Sequence, residues 1–471
     1  MKYLLSIIFA VLAFQPVFGA QVIKINPDIK YQTLEGWGVS LMWWAHQVGD
    51  TFSDAQIDTL CTWLVSSDEL NMNIFRYNIG GGDNPVHHHM RPDAQMPGYL
   101  ASKDTPYNWN QDAGQRKILL KIHQLKKNAI YEAANYSPPY WMTISGCSSG
   151  NADGSDNLQN QYYNAFSDYL TTVVKHYHDV YGIRFRTLSP FNEPFSSWWK
   201  AFGSQEGCAF SQANQEHLIK KLYANLKKKD MLSYCTIAAM DANSIDECLR
   251  GVEDYEKDGV LPFIGQINTH SYNGKQRDSL YRFAKKHHIR LWQSESGPLD
   301  IKVQGYDNFL MMGKRIVTDM RQLKPAAWCD WQYMSGGLGS VWALVGYNEN
   351  SKVYERTKGF YIRKQFSKYI LPGYAFIGDS DNNSIATISP DHKRVVIVYV
   401  QEKDSAQHVT FDLSRFKNAV IHSVIETTEQ ENCQPAFLAN KQGASMFDYW
   451  VKPKSTTTFI FQVTNKSFYA N

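Results

Sequence analysis

Two glutamates stand out in this sequence by their neighbours. Glu193 lies in Ser189-Pro190-Phe191-Asn192-Glu193-Pro194, and Glu295 in Trp292-Gln293-Ser294-Glu295-Ser296-Gly297. Each follows a short β-rich run, at 185–191 and 290–293, and stands beside residues that end a strand. Two opposed carboxyls are what retaining hydrolysis of a glycosidic bond needs. One attacks the anomeric carbon; the other protonates the leaving oxygen and later deprotonates water. The acid must hold its proton near neutral pH, which burial and a neighbouring carboxylate promote. The nucleophile must stay ionised, which calls for donors. Arg76, at the end of the run 73–79, is one candidate donor, and Tyr272, after the run 263–270, is another. His270 shares the face of Tyr272 by strand alternation. Asn192 stands where it can hydrogen-bond a sugar hydroxyl beside the acid. Trp141, Trp198, Trp199 and Trp331 offer ring faces for sugar C–H groups. Taken singly, either Glu could be a loop-end charge, Arg76 a structural ion pair, His270 a satisfied core residue, and any Trp a core residue. The pairing at two strand ends is what points to chemistry.

The elements between these residues say how they would meet. From 34 to 370 the chain alternates β-rich runs, at 34–44, 73–79, 130–136, 185–191, 236–240, 263–270, 290–293 and 326–333, with amphipathic segments. Helical patterns cover 54–64, 115–127, 161–181, 212–229, 279–288, 306–323 and 359–369. Eight such repeats predict an α/β fold, a (β/α)8 TIM barrel over 34–370 with long insertions. A doubly wound open sheet is the alternative, but it would show a Gly-rich nucleotide turn after its first strand. In a barrel, catalytic residues gather at the C-terminal ends of the strands, where both glutamates stand. After Pro372-Gly373 only short alternating strands follow, at 385–389, 395–400, 409–412, 420–425 and 457–463. They predict an antiparallel β-sandwich domain over 371–471, which the strand-like segment 21–33 joins.

A charge balance of +3, from 48 Lys+Arg and 45 Asp+Glu, leaves no basic excess for nucleic acid. Met1-Lys2-Tyr3, an apolar run to Phe14 and the exit Val17-Phe18-Gly19-Ala20 predict a signal peptide over 1–20 and a secreted or periplasmic protein. That run is too short for a transmembrane segment, and no other compares. Seven cysteines, none in CxxC spacing, offer no zinc ribbon. His87-His88-His89 looks metal-like, but three consecutive residues do not readily all face one ion, so neither a metal nor another cofactor is expected. Gly80-Gly81-Gly82 lacks the Lys-Ser/Thr of a phosphate loop. The expected partner is a polysaccharide or oligosaccharide substrate, and the expected state a monomer.

Asn-Glu-Pro after the fourth strand and a Glu after the seventh resemble the (β/α)8 retaining glycosidases. Leu34-Glu35-Gly36-Trp37-Gly38, Phe75-Arg76-Tyr77-Asn78-Ile79-Gly80-Gly81-Gly82, Ser137-Pro138-Pro139-Tyr140-Trp141-Met142 and His270-Ser271-Tyr272 resemble glycoside hydrolase family 30 in particular. The resemblance spans nearly the whole chain after the leader. It implies Glu193 as acid/base and Glu295 as nucleophile, with no metal. Within the family, Ser145-Gly146-Cys147-Ser148-Ser149-Gly150 and Trp198-Trp199-Lys200 with Gln205-Glu206-Gly207-Cys208 are similar to loops of the endo-β-1,6-galactanase branch. That implies β-1,6-galactan, the side chains of arabinogalactan, as substrate. Loops on adjacent strands also make Cys147–Cys208 a candidate disulfide that would brace the cleft, a bond that geometry decides. The same mechanism on β-1,6-glucan, glucuronoxylan or another β-glycoside is the alternative, and a non-catalytic carbohydrate-binding protein is a second. Ten of the 13 tryptophans (Trp37, Trp43, Trp44, Trp141, Trp198, Trp199, Trp292, Trp328, Trp331 and Trp342) fall on or after predicted strands, so a share of them should line a sugar-binding mouth.

Overall fold

The structure is a computed structural model that describes residues 20–438 and 445–465. The leader expected at 1–20 lies outside the described residues except for Ala20. After strand β1 (Gln21–Thr33), eight strands close into an all-parallel barrel: β2 (Gly36–Ser40), β3 (Ile74–Asn78), β4 (Ile130–Ala134), β5 (Phe185–Ser189), β6 (Thr236–Ser244), β7 (Ile264–Asn273), β8 (Arg290–Glu295) and β9 (Ala327–Asp330). The ring closes where Gly36 to Val39 pair with Ala327 to Asp330. Short β-branched and aromatic runs suit strands covered on both sides, and most of their residues are buried.

Helices Asp54–Val65, Ala113–Leu125, Tyr163–Tyr181, Gln212–Lys228, Ile245–Lys257, Arg277–Lys286 and Tyr306–Gln322 follow the strands in turn. The first begins at a capping box, in which the Ser53 hydroxyl accepts from the Gln56 N–H and the Gln56 side chain from the Ser53 N–H. Three boundaries differ from the sequence reading. The first strand stops at Ser40, because Trp44–Thr51 buries Trp44, Ala45 and Val48 as a helix. The fifth runs on to Ser244, carrying Asp241 and Asn243 into the barrel mouth. The last stops at Asp330, and a three-stranded sheet of Gln332–Gly336, Ala343–Tyr347 and Tyr354–Arg356 takes over beyond Trp331.

The chain then enters a β-sandwich, and β1 joins it. Gln21 to Lys24 pair in parallel with Gln407–Asp412, while Ile25 to Thr33 run antiparallel to Ala375–Asp379. Ile23, Ile397, Val409, Phe411, Phe459 and Phe461 fill the space enclosed between these arms. Strand alternation divides Arg394–Gln401 between two cores. Val395, Ile397 and Tyr399 face into the sandwich, while Val396, Val398 and Val400 join the barrel's core with Phe309, Phe360 and Phe366. Shared burial of this kind seats the sandwich on helices Tyr306–Gln322 and Lys358–Ser367. Among the described residues, no helix is long and apolar enough to cross a membrane.

Candidate active site

Glu295 is the last residue of β8, and Glu193 lies four residues beyond the end of β5. One oxygen of each carboxylate and a ring nitrogen of His270 all lie within 4.8 Å of one another. His270 Nδ1 is 3.2 Å from Glu193 Oε1 and 3.5 Å from Glu295 Oε1. The Asn243 amide donates to Glu193 Oε1 at 2.7 Å. Glu295 is held by more donors: Tyr136 OH to Oε2 at 2.9 Å, Tyr272 OH to Oε1 at 3.2 Å and Arg76 Nη1 to Oε2 at 3.5 Å.

The backbone that presents Glu193 is unusual. Its φ is +47°, and its N–H donates at 2.8 Å to the carbonyl of Asp241, whose φ is +53°. Two acidic residues in the left-handed region are held against their preference, a cost of about 1–3 kcal/mol each. Asp241 sits where the pairing of β6 with β7 slips between Met240 and Ala242. Trp199 Nε1 donates to the Glu193 carbonyl at 3.0 Å and locks the other side of the peptide. Gly207 is required here, since a Cβ would meet the Trp199 ring at 2.0 Å.

A wholly buried ionic cluster underlies the pair. Arg76 donates through Nε to Glu132 at 2.8 Å and through Nη2 to Asp241 at 2.7 Å. Ser294 Oγ donates to Asp241 Oδ1 at 2.6 Å, and Asn268 Nδ2 to Oδ2 at 3.1 Å. Against full burial, the Arg76 guanidinium and the hydrogen-bonded His270 hold the Asp241 carboxyl well below the usual carboxylate range. Burial works against a charged His270, but the charge of Glu295 and the bonds to Asp241 and Glu193 carry its imidazole up to about 10. His270 is therefore an imidazolium near neutral pH, and a protonated ring cannot ligate a metal. Burial pushes the Glu295 carboxyl up; the His270 imidazolium opposes it, the Glu193 charge adds to it, and Arg76 and Tyr136 oppose it.

The pair opens into a cleft of about 750 Å³ walled by Trp43, Trp198, Trp199, Trp331 and Trp342, with Asn192, Asn243 and Asn273 among the polar lining. A second hollow of about 1060 Å³ lies on the sandwich near Tyr374 and Arg394, but it has no facing carboxyls. The barrel mouth, with its paired carboxyls, is the candidate site for chemistry. The model of O-glycosyl hydrolase family 30 matches residues 20–275. An endo-β-1,6-galactanase of Hypocrea rufa is 32% identical, with 84% of each chain covered. The chain belongs to glycoside hydrolase family 30.

Solved structures share the architecture of this family 30 hydrolase. A conserved exported protein of Bacteroides fragilis superposes with a TM-score of 0.80 at 17% identity, over 93% of this chain and all of that one. The catalytic domain of xylanase C from Talaromyces cellulolyticus gives 0.74 at 18% identity, over 94% and 100%.

Within the family 30 barrel, the structure brings Glu193, Glu295, Arg76, Asn192, His270, Tyr272, Trp198, Trp199 and Trp331 to one mouth. Asn192 lines the cleft, and its buried Oδ1 has no hydrogen-bond partner among the described residues. Trp141 goes elsewhere: its Nε1 donates to Leu100 O at 2.9 Å and its ring packs edge-on to Tyr162, outside the cleft. A short 3-10 turn, Tyr140–Met142, turns it away from the mouth. Of the other tryptophans named above, Trp37, Trp44, Trp292 and Trp328 are buried in the fold.

The expected Cys147–Cys208 disulfide is corrected by the structure, in which both are free, buried thiols. Cys147 Sγ faces His87 Nδ1 at 3.6 Å, while Cys208 Sγ contacts its own loop at Ala209 O, 3.4 Å away. The two loops touch, with Gly207 N–H donating to Ser148 O at 3.0 Å, but side-chain direction decides a bond. Tyr136, Asn243, Asp241 and Glu132 were not singled out from sequence, whereas Trp43 and Trp342 were among the tryptophans expected near the mouth. Tyr136 closes a predicted strand, so its strand-end position was a usable signal; Asn243 was lost when the polar Asp241-Ala242-Asn243 was read as the end of β6.

Proposed function

We propose that this protein is an exported retaining β-glycosidase that cleaves β-1,6-linked galactan, the side chains of arabinogalactan. The observation that carries the retaining reading is that one oxygen of Glu193 and one of Glu295 lie within 4.8 Å of each other, too close to leave the gap an inverting pair keeps. Inversion needs room for a water, with carboxyls about 6.5–9.5 Å apart, whereas retention uses about 5–5.5 Å. Burial and the Glu193 charge raise the Glu295 carboxyl, but two phenols and a guanidinium donate to it and favour its ionised form, which makes it the nucleophile. It attacks the anomeric carbon as the glycosidic C–O bond breaks and Glu193 gives its proton to the departing oxygen. Glu193, now a carboxylate, then takes a proton from water; the water oxygen attacks the same carbon and frees Glu295. Two inversions return the original configuration. The unpartnered Asn192 Oδ1 accepts a hydroxyl of the sugar in the reacting position.

The choice of galactan rests on the similarity to the Hypocrea rufa endo-β-1,6-galactanase and on the loops carrying Trp198 and Cys147. Glucuronoxylan is disfavoured by one observation. Arg91, the one Lys or Arg among the described lining residues, is paired with Asp93 at 3.1 Å and laid over Trp43. β-1,6-Glucan stays as the second reading, since it differs from galactan at a single hydroxyl. Product analysis on β-1,6-galactan, β-1,6-glucan and glucuronoxylan tests both, with the first-formed anomer read by NMR. The expected result is shortened galactan with the β anomer appearing first. An α anomer first would overturn retention, preferential cleavage of glucan would overturn the substrate, and binding without new reducing ends would overturn the enzyme.

A further inference from the structure

Away from the glutamate pair, two loops bring four metal-ligand side chains together. Asp83, His87 and His89 come from the loop after β3, and Cys147 from the loop after β4. A ring nitrogen of each histidine and the Cys147 sulfur lie within 4.8 Å of one another. Cys147 Sγ is 3.6 Å from His87 Nδ1, and the Asp83 carboxylate reaches His87 Nδ1 at 3.9 Å and His89 Nε2 at 2.9 Å. Bond lengths of about 2.0–2.3 Å around a tetrahedral zinc ion set donor atoms about 3.3–3.7 Å apart. The two imidazole nitrogens and the sulfur lie close to the spacing of a coordination shell, and the Asp83 carboxylate stands beside both rings. One ion does not need all three histidines to face it. His87 and His89 alternate inward, and His88 between them is exposed.

The tautomer of His89 adds an independent sign. Its Nδ1 lies 2.6 Å from the carbonyl of Gly203, which can only accept, so Nδ1 carries a proton. In a neutral ring Nε2 then presents a lone pair to the Asp83 carboxylate. Nε2 is buried and has no hydrogen-bond partner among the described residues. At 2.9 Å from the Asp83 carboxylate, that nitrogen is covered either by a proton or by an ion bound beside both groups. A ring N–H given to a backbone carbonyl is also the usual support of a metal-bound histidine. Asp83 and Cys147 are buried, and the Phe202 ring covers both imidazoles with centroids 5.1 and 5.4 Å away.

We propose that Asp83, His87, His89 and Cys147 bind one zinc ion in a closed, structural site. Binding displaces the Cys147 thiol proton to solvent and leaves a zinc–thiolate bond. The ion joins the loops after β3 and β4, and the bond to Gly203 ties in the loop after β5. Those loops carry Arg91, Trp198 and Trp199 of the cleft wall, and Arg91 N–H already donates to Ser204 O at 2.9 Å. Zinc thus occupies the bracing role that a Cys147–Cys208 bond was expected to fill. The proposal does not depend on which glycan is cleaved.

The test uses the purified full chain, stripped with a chelator and kept reduced. Titration with zinc against a chromogenic chelator should give one equivalent bound. Titration with cobalt should give tetrahedral d–d bands and a near-ultraviolet thiolate charge-transfer band that Cys147→Ser removes. His87→Ala and His89→Ala should weaken zinc by at least the ~10–100-fold seen on loss of a ligand's supporting contact. Glu295→Gln should keep full affinity, which separates this site from the acidic cluster of the cleft. If the loop variants fail to fold, the wild-type cobalt spectrum decides alone. No stoichiometric binding, no thiolate band, or affinity lost in Glu295→Gln but kept in Cys147→Ser would overturn the site. A His89 imidazolium paired simply with Asp83 would give the first of those results.

Discussion

His270 Nδ1 stands 3.2 Å from Glu193 Oε1, in a fully buried position that also borders Glu295. A cation between the two carboxyls lets them stand close together around one glycosidic bond, and its removal leaves them facing each other without compensation. The imidazole is raised from the ordinary value of about 6.5 to about 10. The stability it contributes is therefore complete below the unfolded pKa and is lost as pH rises through the folded one. Thermal stability and kcat/KM should both decline as pH is raised toward 10, and His270→Gln should flatten that alkaline limb. A wild-type profile that stays level past pH 10, or an unchanged limb in the variant, would count against this role.

Glu193→Gln should lower turnover on a glycan by roughly 10²–10⁴-fold, the usual worth of a general acid. The loss should be smaller on aryl glycosides, whose leaving groups need little protonation, and azide should recover a β-glycosyl azide. Glu295→Gln should remove turnover on both substrates, because no covalent intermediate can form. Near wild-type rates in Glu295→Gln would sink the assignment of the nucleophile.

Asp241 accepts from Arg76, Ser189, Ser294 and Asn268, all as donors. Asp241→Asn would turn one oxygen into a donor among donors and leave Arg76 under-compensated. Breaking a buried ion pair costs about 3–5 kcal/mol, to be read from urea unfolding. Asp28→Asn, which removes an exposed partner of Arg415, should cost no more than about 1 kcal/mol. Equal losses in the two variants would refute the structural weight placed on the cluster.

Trp198 is 53% exposed on the cleft wall, whereas Trp199 is buried and bonded to the Glu193 carbonyl. Aromatic contacts of about 0.5–1.5 kcal/mol predict that Trp198→Ala raises KM by about 2- to 13-fold with kcat and melting temperature unchanged. Trp199→Ala should lower kcat and stability together, since it frees the peptide that presents the acid. Steady-state kinetics and thermal melts on both variants separate a platform from a support.

Local patterns were enough for the eight strand–helix repeats, because alternation and amphipathic period are written in neighbouring residues. They also placed Glu193 and Glu295 at strand ends, because those contexts are short and contiguous. The first and fifth strands were misjudged where tertiary burial outweighs local preference. Trp44 enters a helix because its ring is buried, and Asp241 stays in a strand because Arg76 compensates its charge. Strand order alone brings Asp241, Glu132 and Arg76 into one cluster, although they lie up to 165 residues apart. Side-chain direction, invisible in residue order, sent Trp141 out of the cleft, parted Cys147 from Cys208 and turned His87 and His89 toward Cys147. A sequence carries the periodicities that build a barrel. Which side chains meet at its mouth depends on how the ring closes and which way each loop turns.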